Sequence, residues 1–185
     1  PPSYLLAISW QPAFCQTHQS KTECETQVET RYDATHFTLH GLWPQPKSKI
    51  YCNVTNLEKN MDKRKLWQQL PPLDISPETY EDMIEVMPGV ASYLHWHEWI
   101  KHGTCYSFSP EEYFAESIML TEQVNASAVR SLFAQNIGKT VRTSDIKDRF
   151  EQAFGPGAGD KVKVKCSSGM ITELVRYCTT FRSKS

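Results

Sequence analysis

The sequence predicts an α+β fold, a central antiparallel sheet with several helices packed around it and disulfides stapling the whole. Three observations lead there. Apolar residues alternate at period two near both ends of the 185-residue chain, recur at helical spacing through its middle, and accompany six cysteines. The length suits one domain over residues 1–185 with a substantial core. Hydrophobic residues at 39% and charged residues at 22% exclude the disordered and fibrous classes. No apolar run is long enough for a bilayer, and PPSYLL at the start is no leader, so we expect a soluble monomer without membrane partners, its signal peptide already removed. A formal charge of −1 argues against a broad basic footprint; any nucleic acid would be held locally.

The elements follow in order. In SYLLAISW, Tyr4, Leu6, Ile8 and Trp10 share one face of a strand ended by Pro12. In HFTLHGLWP, Phe37 and Leu39 point one way, His36, Thr38 and His40 the other, and Gly41 is expected to break the strand. Residues 44–76 read as a long connection with a short helix around residues 57–70. Ser76-Pro77 starts a helix with Tyr80, Met83, Ile84 and Met87 as its apolar stripe, stopped by Pro88-Gly89. Ser92 is expected to cap the next, which ends at Gly103. Ser109-Pro110-Glu111-Glu112 reads as a capping box for a third. Val129, Leu132, Phe133 and Ile137 mark a fourth, and Ile146, Phe150, Ala153 and Phe154 a fifth ending at Gly155. Val162, Val164 and Cys166 then alternate with lysines, SSG turns, and MITELVRYC returns as a hairpin partner, so that the terminal strands share one sheet.

Cysteines stand at 15, 24, 52, 105, 166 and 178, with no C-x-x-C pair to suggest zinc or redox work. Their local spacing makes Cys15–Cys24 and Cys166–Cys178 natural loop staples and leaves Cys52–Cys105, each contributing about 2–4 kcal/mol. Disulfides imply an oxidising compartment, secreted or periplasmic.

The densest chemistry lies in HWHEWIKHGTC, residues 95–105. At helical spacing His97, Glu98, Lys101 and His102 share an arc of about 140°, with Trp96, Trp99 and Ile100 on the other side and His95 at the arc's edge. Three readings compete. A zinc site of the H-E-x-x-H kind needs its histidines one turn apart; here they are a residue farther, with Lys101 between them, so no metal is expected. A solvated face with a Glu98–His102 pair would be rich in Lys, Glu and Ala rather than in tryptophan and histidine. An acid–base site needs a second titrating group, and His40, on the polar side of its strand, supplies one if Cys52–Cys105 draws the two segments together.

FTLHGLWP (37–44) and LHWHEWIKHGTC (94–105) together resemble the two active-site segments of the ribonuclease T2 family. SWQPAFC is similar to that family's W-P-P-x-x-C opening, and EVMPG to its bacterial periplasmic branch. The resemblance implies a T2-like fold and an endoribonuclease that needs no cofactor or metal and acts on single-stranded RNA, not DNA. The ribose 2′-OH attacks the adjacent phosphorus and leaves a 2′,3′-cyclic phosphate. Carried onto this chain, it implies His102 as the base, His40 as the acid, Lys101 stabilising the phosphorane, Glu98 polarising the phosphate and His97 binding it. Trp43 and Tyr51 occupy positions that can stack on a base. Gln45 stands where many members carry an acid and Leu94 where many carry an aromatic, so broad base specificity is expected. His18 and His36 are read as surface histidines and His95 as noncatalytic. The competing classes are a catalytically silent RNA-binding relative and a secreted interaction protein. Asn53-Val54-Thr55 and Asn125-Ala126-Ser127 have the form of glycosylation acceptors.

Overall fold

The computed structural model describes residues 3–179. Four antiparallel strands, β1 (Ser3–Ser9), β2 (Thr38–Pro44), β3 (Val162–Ser167) and β4 (Met170–Thr179), form one sheet in the order β2-β1-β4-β3. The first strand therefore pairs with the last, as the period-two patterns at the two ends imply. Around the sheet lie α1 (Gln11–Thr17), α2 (Thr22–Glu25), α3 (Asn56–Lys63), α4 (Pro77–Val86), α5 (Leu94–Lys101), α6 (Pro110–Asn125), α7 (Ala128–Ala134) and α8 (Thr143–Phe154). No helix among the described residues is long and apolar enough to cross a membrane.

The sheet has a helix-covered face and a face that carries the site. Tyr4, Leu6 and Ile8 of β1 join Leu39, Leu42, Val162 and Leu174 in a buried core with Met83, Phe114, Phe133, Ile146 and Phe150 from the helices. Full burial of each such side chain contributes about 1.5–3 kcal/mol. The alternate residues Leu5 and Ala7 face the other way, beside Trp43 and Tyr177, and Gly41 and Val175, respectively.

Gly41 does not end its strand. Ile8 pairs with Leu39 and Ala7 with Gly41, so His40 is the extra residue of a β-bulge and β2 continues to Pro44. The bulge resets the alternation: Leu39 and Leu42, three apart, both reach the core, while His40 is aimed into the site.

Other local expectations shift as well. On α4 the buried stripe is Met83, Val86 and Met87; Tyr80 and Ile84 are exposed, because the helix rolls these two off the core. The N-cap of α5 is Tyr93, in the left-handed region, while the Ser92 hydroxyl donates to Glu23. Ser109 caps α6 by accepting from the Glu112 N–H, but the Glu112 carboxylate takes the Ser107 hydroxyl, so only half of the box forms. The helix expected around residues 57–70 is α3 followed by a short turn at Trp67–Gln69. Ile137 lies beyond α7 and is exposed. His18 and His36 are half-buried, stacked on Phe14 and Tyr32. Asn125 is buried, its amide bridging the Phe37 N–H and C=O, which leaves no room for a glycan.

Cys15–Cys24 and Cys52–Cys105 are disulfides; Cys166 and Cys178 are not bonded. The hairpin turn puts Cys166 opposite Ile171, whereas Cys178 sits opposite Tyr4 on the far end of β4. At the strand rise the two are roughly 23 Å apart, beyond any disulfide.

Candidate active site

Two ties bring the second segment to the first. The Cys52–Cys105 bond fixes the connection after β2 to the turn after α5, and the Tyr51 N–H donates to the Lys101 carbonyl at 2.8 Å. Gly103 permits this close turn, since a Cβ there would overlap the Trp99 and Tyr113 rings. The polar arc of α5 thus lies against β2 rather than in solvent: Glu98 is 1% exposed, and Trp96 and Trp99, expected to be the buried side, are half-buried.

Glu98 sits directly over Gly41. A Cβ at Gly41 would overlap both the Glu98 carboxylate and the Trp43 indole nitrogen. One oxygen of Glu98 accepts from Trp43 Nε1 at 2.8 Å and the other stands 3.6 Å from His40 Nε2. Burial raises the Glu98 pKa; the charges of His40, His97 and Lys101 and the indole hydrogen bond oppose that without cancelling it.

The two principal histidines are pushed in opposite directions. Burial disfavours charge on His40, but the hydrogen bond to Glu173 and the nearby Glu98 charge outweigh it, so its pKa is raised. The Glu173 carboxylate takes Nδ1 with one oxygen and Lys165 Nζ with the other at 2.6 Å, while Nε2 of His40 faces Glu98. These two partners hold Glu173 below the ordinary carboxylate value despite its burial. His102 is lowered to about 3, by burial first and then by the positive charge of Lys101 and of the neighbouring histidines. Its Nδ1 is buried with no hydrogen-bond partner among the described residues.

His97 is oriented by a residue that periodicity does not reveal. Its Nδ1 lies 2.7 Å from Asp62 Oδ1, and the second oxygen of Asp62 accepts the Tyr51 hydroxyl at 2.6 Å. Burial works against charge on Asp62, but these bonds hold its pKa down. The hydroxyl of Tyr51, the residue expected to stack on a base, is committed to Asp62, and Lys59 Nζ lies 5.2 Å from its ring. Trp43 is half-buried, with Lys165 Nζ 5.5 Å from the indole. His95 is buried and lies apart from the cluster, against Trp96 and Tyr80.

Donor atoms of His97, Glu98 and His102 lie within 4.8 Å of one another, closer than the helical wheel allows. The wheel fails because it assumes ideal helical angles, whereas His102 is the C-cap, at φ −116°. The premise that these two histidines cannot converge is therefore incorrect. The set offers one carboxylate already engaged by Trp43 and two imidazoles, with Lys101 in the same turn.

Fold and site together define a disulfide-stapled α+β enzyme that sets two oppositely shifted histidines and a buried carboxylate around Trp43, with Lys101 beside one of the histidines. The chain belongs to the ribonuclease T2 family, whose profile matches residues 2–185. It is 33% identical over 194 residues to Ribonuclease I of Escherichia coli, an alignment covering 92% of this chain and 72% of that protein. Ribonuclease Rh of Rhizopus niveus is 29% identical over 76% of this chain and 63% of its own. The solved structure of ribonuclease MC1 from bitter gourd seeds superposes with a TM-score of 0.57 at 20% identity, covering 96% of this chain and 88% of that one. The fold is that of a T2 endoribonuclease, and the two disulfides fit an oxidising compartment.

Proposed function

We propose that this chain cleaves single-stranded RNA by transesterification, with broad base specificity and no metal. His102 takes the proton from the ribose 2′-OH, the 2′-oxygen bonds to phosphorus, and the P–O5′ bond breaks as His40 protonates the departing oxygen. The products are a 2′,3′-cyclic phosphate end and a free 5′-hydroxyl, and the pair of histidines has exchanged protonation states.

The observation that carries this reading is the opposed tuning of the two imidazoles. A base must be neutral and an acid protonated at the same pH; His102, lowered to about 3, and His40, raised, meet that condition together. Lys101 supplies fixed positive charge beside His102, where the phosphorane charge develops, and His97, held by Asp62, offers its other nitrogen to the phosphate. Trp43 gives a base-stacking surface, and stacking is tolerant of base identity, which supports broad specificity. The oxidising compartment is read as extracytoplasmic, periplasmic or secreted, and the acting form as a monomer.

Incubation with a single-stranded homopolymer in EDTA, with analysis of product ends, tests this. Cyclic-phosphate ends support it. Binding without cleavage would assign the silent RNA-binding alternative, neither binding nor cleavage the interaction-protein alternative, and loss of cleavage on chelation would return attention to the His97, Glu98 and His102 set.

A further inference from the structure

Past Trp43 the open face of the sheet runs onto the β3–β4 hairpin and forms a cleft whose lining includes Trp43, Lys47, Lys101, Lys163, Lys165 and Tyr177. His102 lines the same cleft, so it is continuous with the reaction centre. Its lining carries four lysines and no acidic residue, in a chain whose Asp and Glu (21) outnumber its Lys and Arg (20). This lining is therefore net positive in a chain that is net negative.

Register explains the arrangement. Lys163 stands opposite Val175, Lys165 opposite Glu173, and Tyr177 opposite Leu5, which in turn stands opposite Trp43. These pairs share one face, while Val162 turns inward to the core. Glu173, beside the cleft, has both oxygens engaged, by His40 and Lys165. Lys47 and Lys163 are exposed and make no ion pair among the described residues; Lys163 Nζ lies 6.0 Å from the Tyr177 ring. Cations beside aromatic rings, along a groove that starts at a phosphate-handling site, are the elements of a single-strand binding track.

We propose that the β3–β4 hairpin is an extended nucleotide subsite, with Lys163 and Lys47 taking backbone phosphates and Tyr177 a base, for the nucleotides on the 5′ side of the cleaved bond. The direction rests on the function proposed above: the base His102 must face the 2′-OH of the 5′ nucleoside, and the cleft opens from His102 and Trp43. The protein is thereby a reader of polynucleotides rather than of a single linkage.

The test uses DNA oligonucleotides carrying one ribose, with two deoxynucleotides added either 5′ or 3′ of the cleavable step, or neither. For the unaltered protein, the 5′ extension raises kcat/KM and the 3′ extension does not. Lys163→Ala and Tyr177→Ala each reduce the 5′ gain about five- to tenfold and leave the unextended substrate unchanged. Lys163→Ala also lowers the slope of log(kcat/KM) against log salt by about 0.7 for the 5′-extended substrate. Lys139→Ala, an equal charge change on an exposed residue outside this cleft, leaves every value unchanged. A gain from the 3′ extension alone, an unreduced 5′ gain in both hairpin variants, or an equal loss in Lys139→Ala overturns the subsite. Should no substrate be cleaved, the proposed function falls, and binding of the all-deoxy 5′-extended oligonucleotide decides the subsite alone: weakening by Lys163→Ala but not Lys139→Ala supports it, and equal binding overturns it.

Discussion

Oε1 of Glu98 stands 3.6 Å from Nε2 of His40, while its other oxygen is held by Trp43. That carboxylate reaches the strand only because residue 41 has no side chain. Replacing Gly41 by Ala forces Glu98 or Trp43 to move, and overpacking of this kind costs about 1–3 kcal/mol. The variant should melt earlier and lose cleavage by at least about tenfold beyond what unfolding explains; an unperturbed rate with unchanged melting would show that Glu98 does not need this position.

Glu173 is expected to position the acid. Burial opposes charge on His40, and the Glu173 hydrogen bond is the largest of the influences that together outweigh it. Glu173→Gln keeps a polar group at Nδ1 but removes the charge, so the His40 pKa falls. Because His40 acts when protonated, the alkaline limb of the kcat/KM profile moves to lower pH, and activity near pH 7.5 falls more than activity near pH 5. A uniform loss at all pH values would mark Glu173 as merely structural.

Opposed tuning also fixes the whole profile. In the free enzyme kcat/KM should rise with a group near 3, His102, and fall with a group above 6.5, His40. Removing either imidazole by Ala should lower the rate about 10²–10⁴-fold and abolish the corresponding limb. A flat profile from pH 4 to 9 would contradict paired-histidine catalysis.

The parts of this site carried by local pattern were legible in the sequence; those carried by register and long contacts were not. HGLWP and HWHEWIKHG gave His40, Glu98, Lys101 and His102, and the alternating ends gave the sheet. The bulge at His40 escaped, since Gly41 reads as a strand breaker and strict alternation leaves no place for an extra residue. Glu173 carried one signal, being in phase with Val175 and Tyr177 on the open face, but nothing local ties it to a histidine 133 residues earlier. Asp62 lies on a polar helix where a carboxylate is ordinary, and the Cys166–Cys178 pairing failed because sequence spacing ignores which way a hairpin runs.

Tyr51 separates stacking from bracing. Its hydroxyl donates to Asp62, which orients His97. Tyr51→Phe preserves a stacking ring and removes the brace, so KM for RNA should rise several-fold and Asp62→Asn should reproduce the effect. The change should be equal for homopolymers of different bases. A full-activity Phe variant with a base-dependent loss in Tyr51→Ala would assign the stacking role instead.

His95 links acidic activity to acidic instability. It is 6% exposed, its Nδ1 lacks a partner among the described residues, and burial lowers its pKa to about 4. The unfolded chain, with an ordinary value near 6.5, binds more protons between these limits. Stability is therefore complete above about pH 6.5 and is lost as pH falls toward 4, by about 3 kcal/mol at the limit. His102 acts with the same sign but cannot be removed without removing the base. His95→Leu leaves the cleft untouched, so denaturant melts at pH 7 and 4.5 should differ less than in the unaltered protein, with the cleavage profile unchanged. An equal acid loss in both proteins would show that His95 titrates normally. If instead the variant is stabilised only at low pH, the protein cleaves best where its own buried histidines weaken its fold, and the Cys15–Cys24 and Cys52–Cys105 bonds acquire a clear physical purpose there.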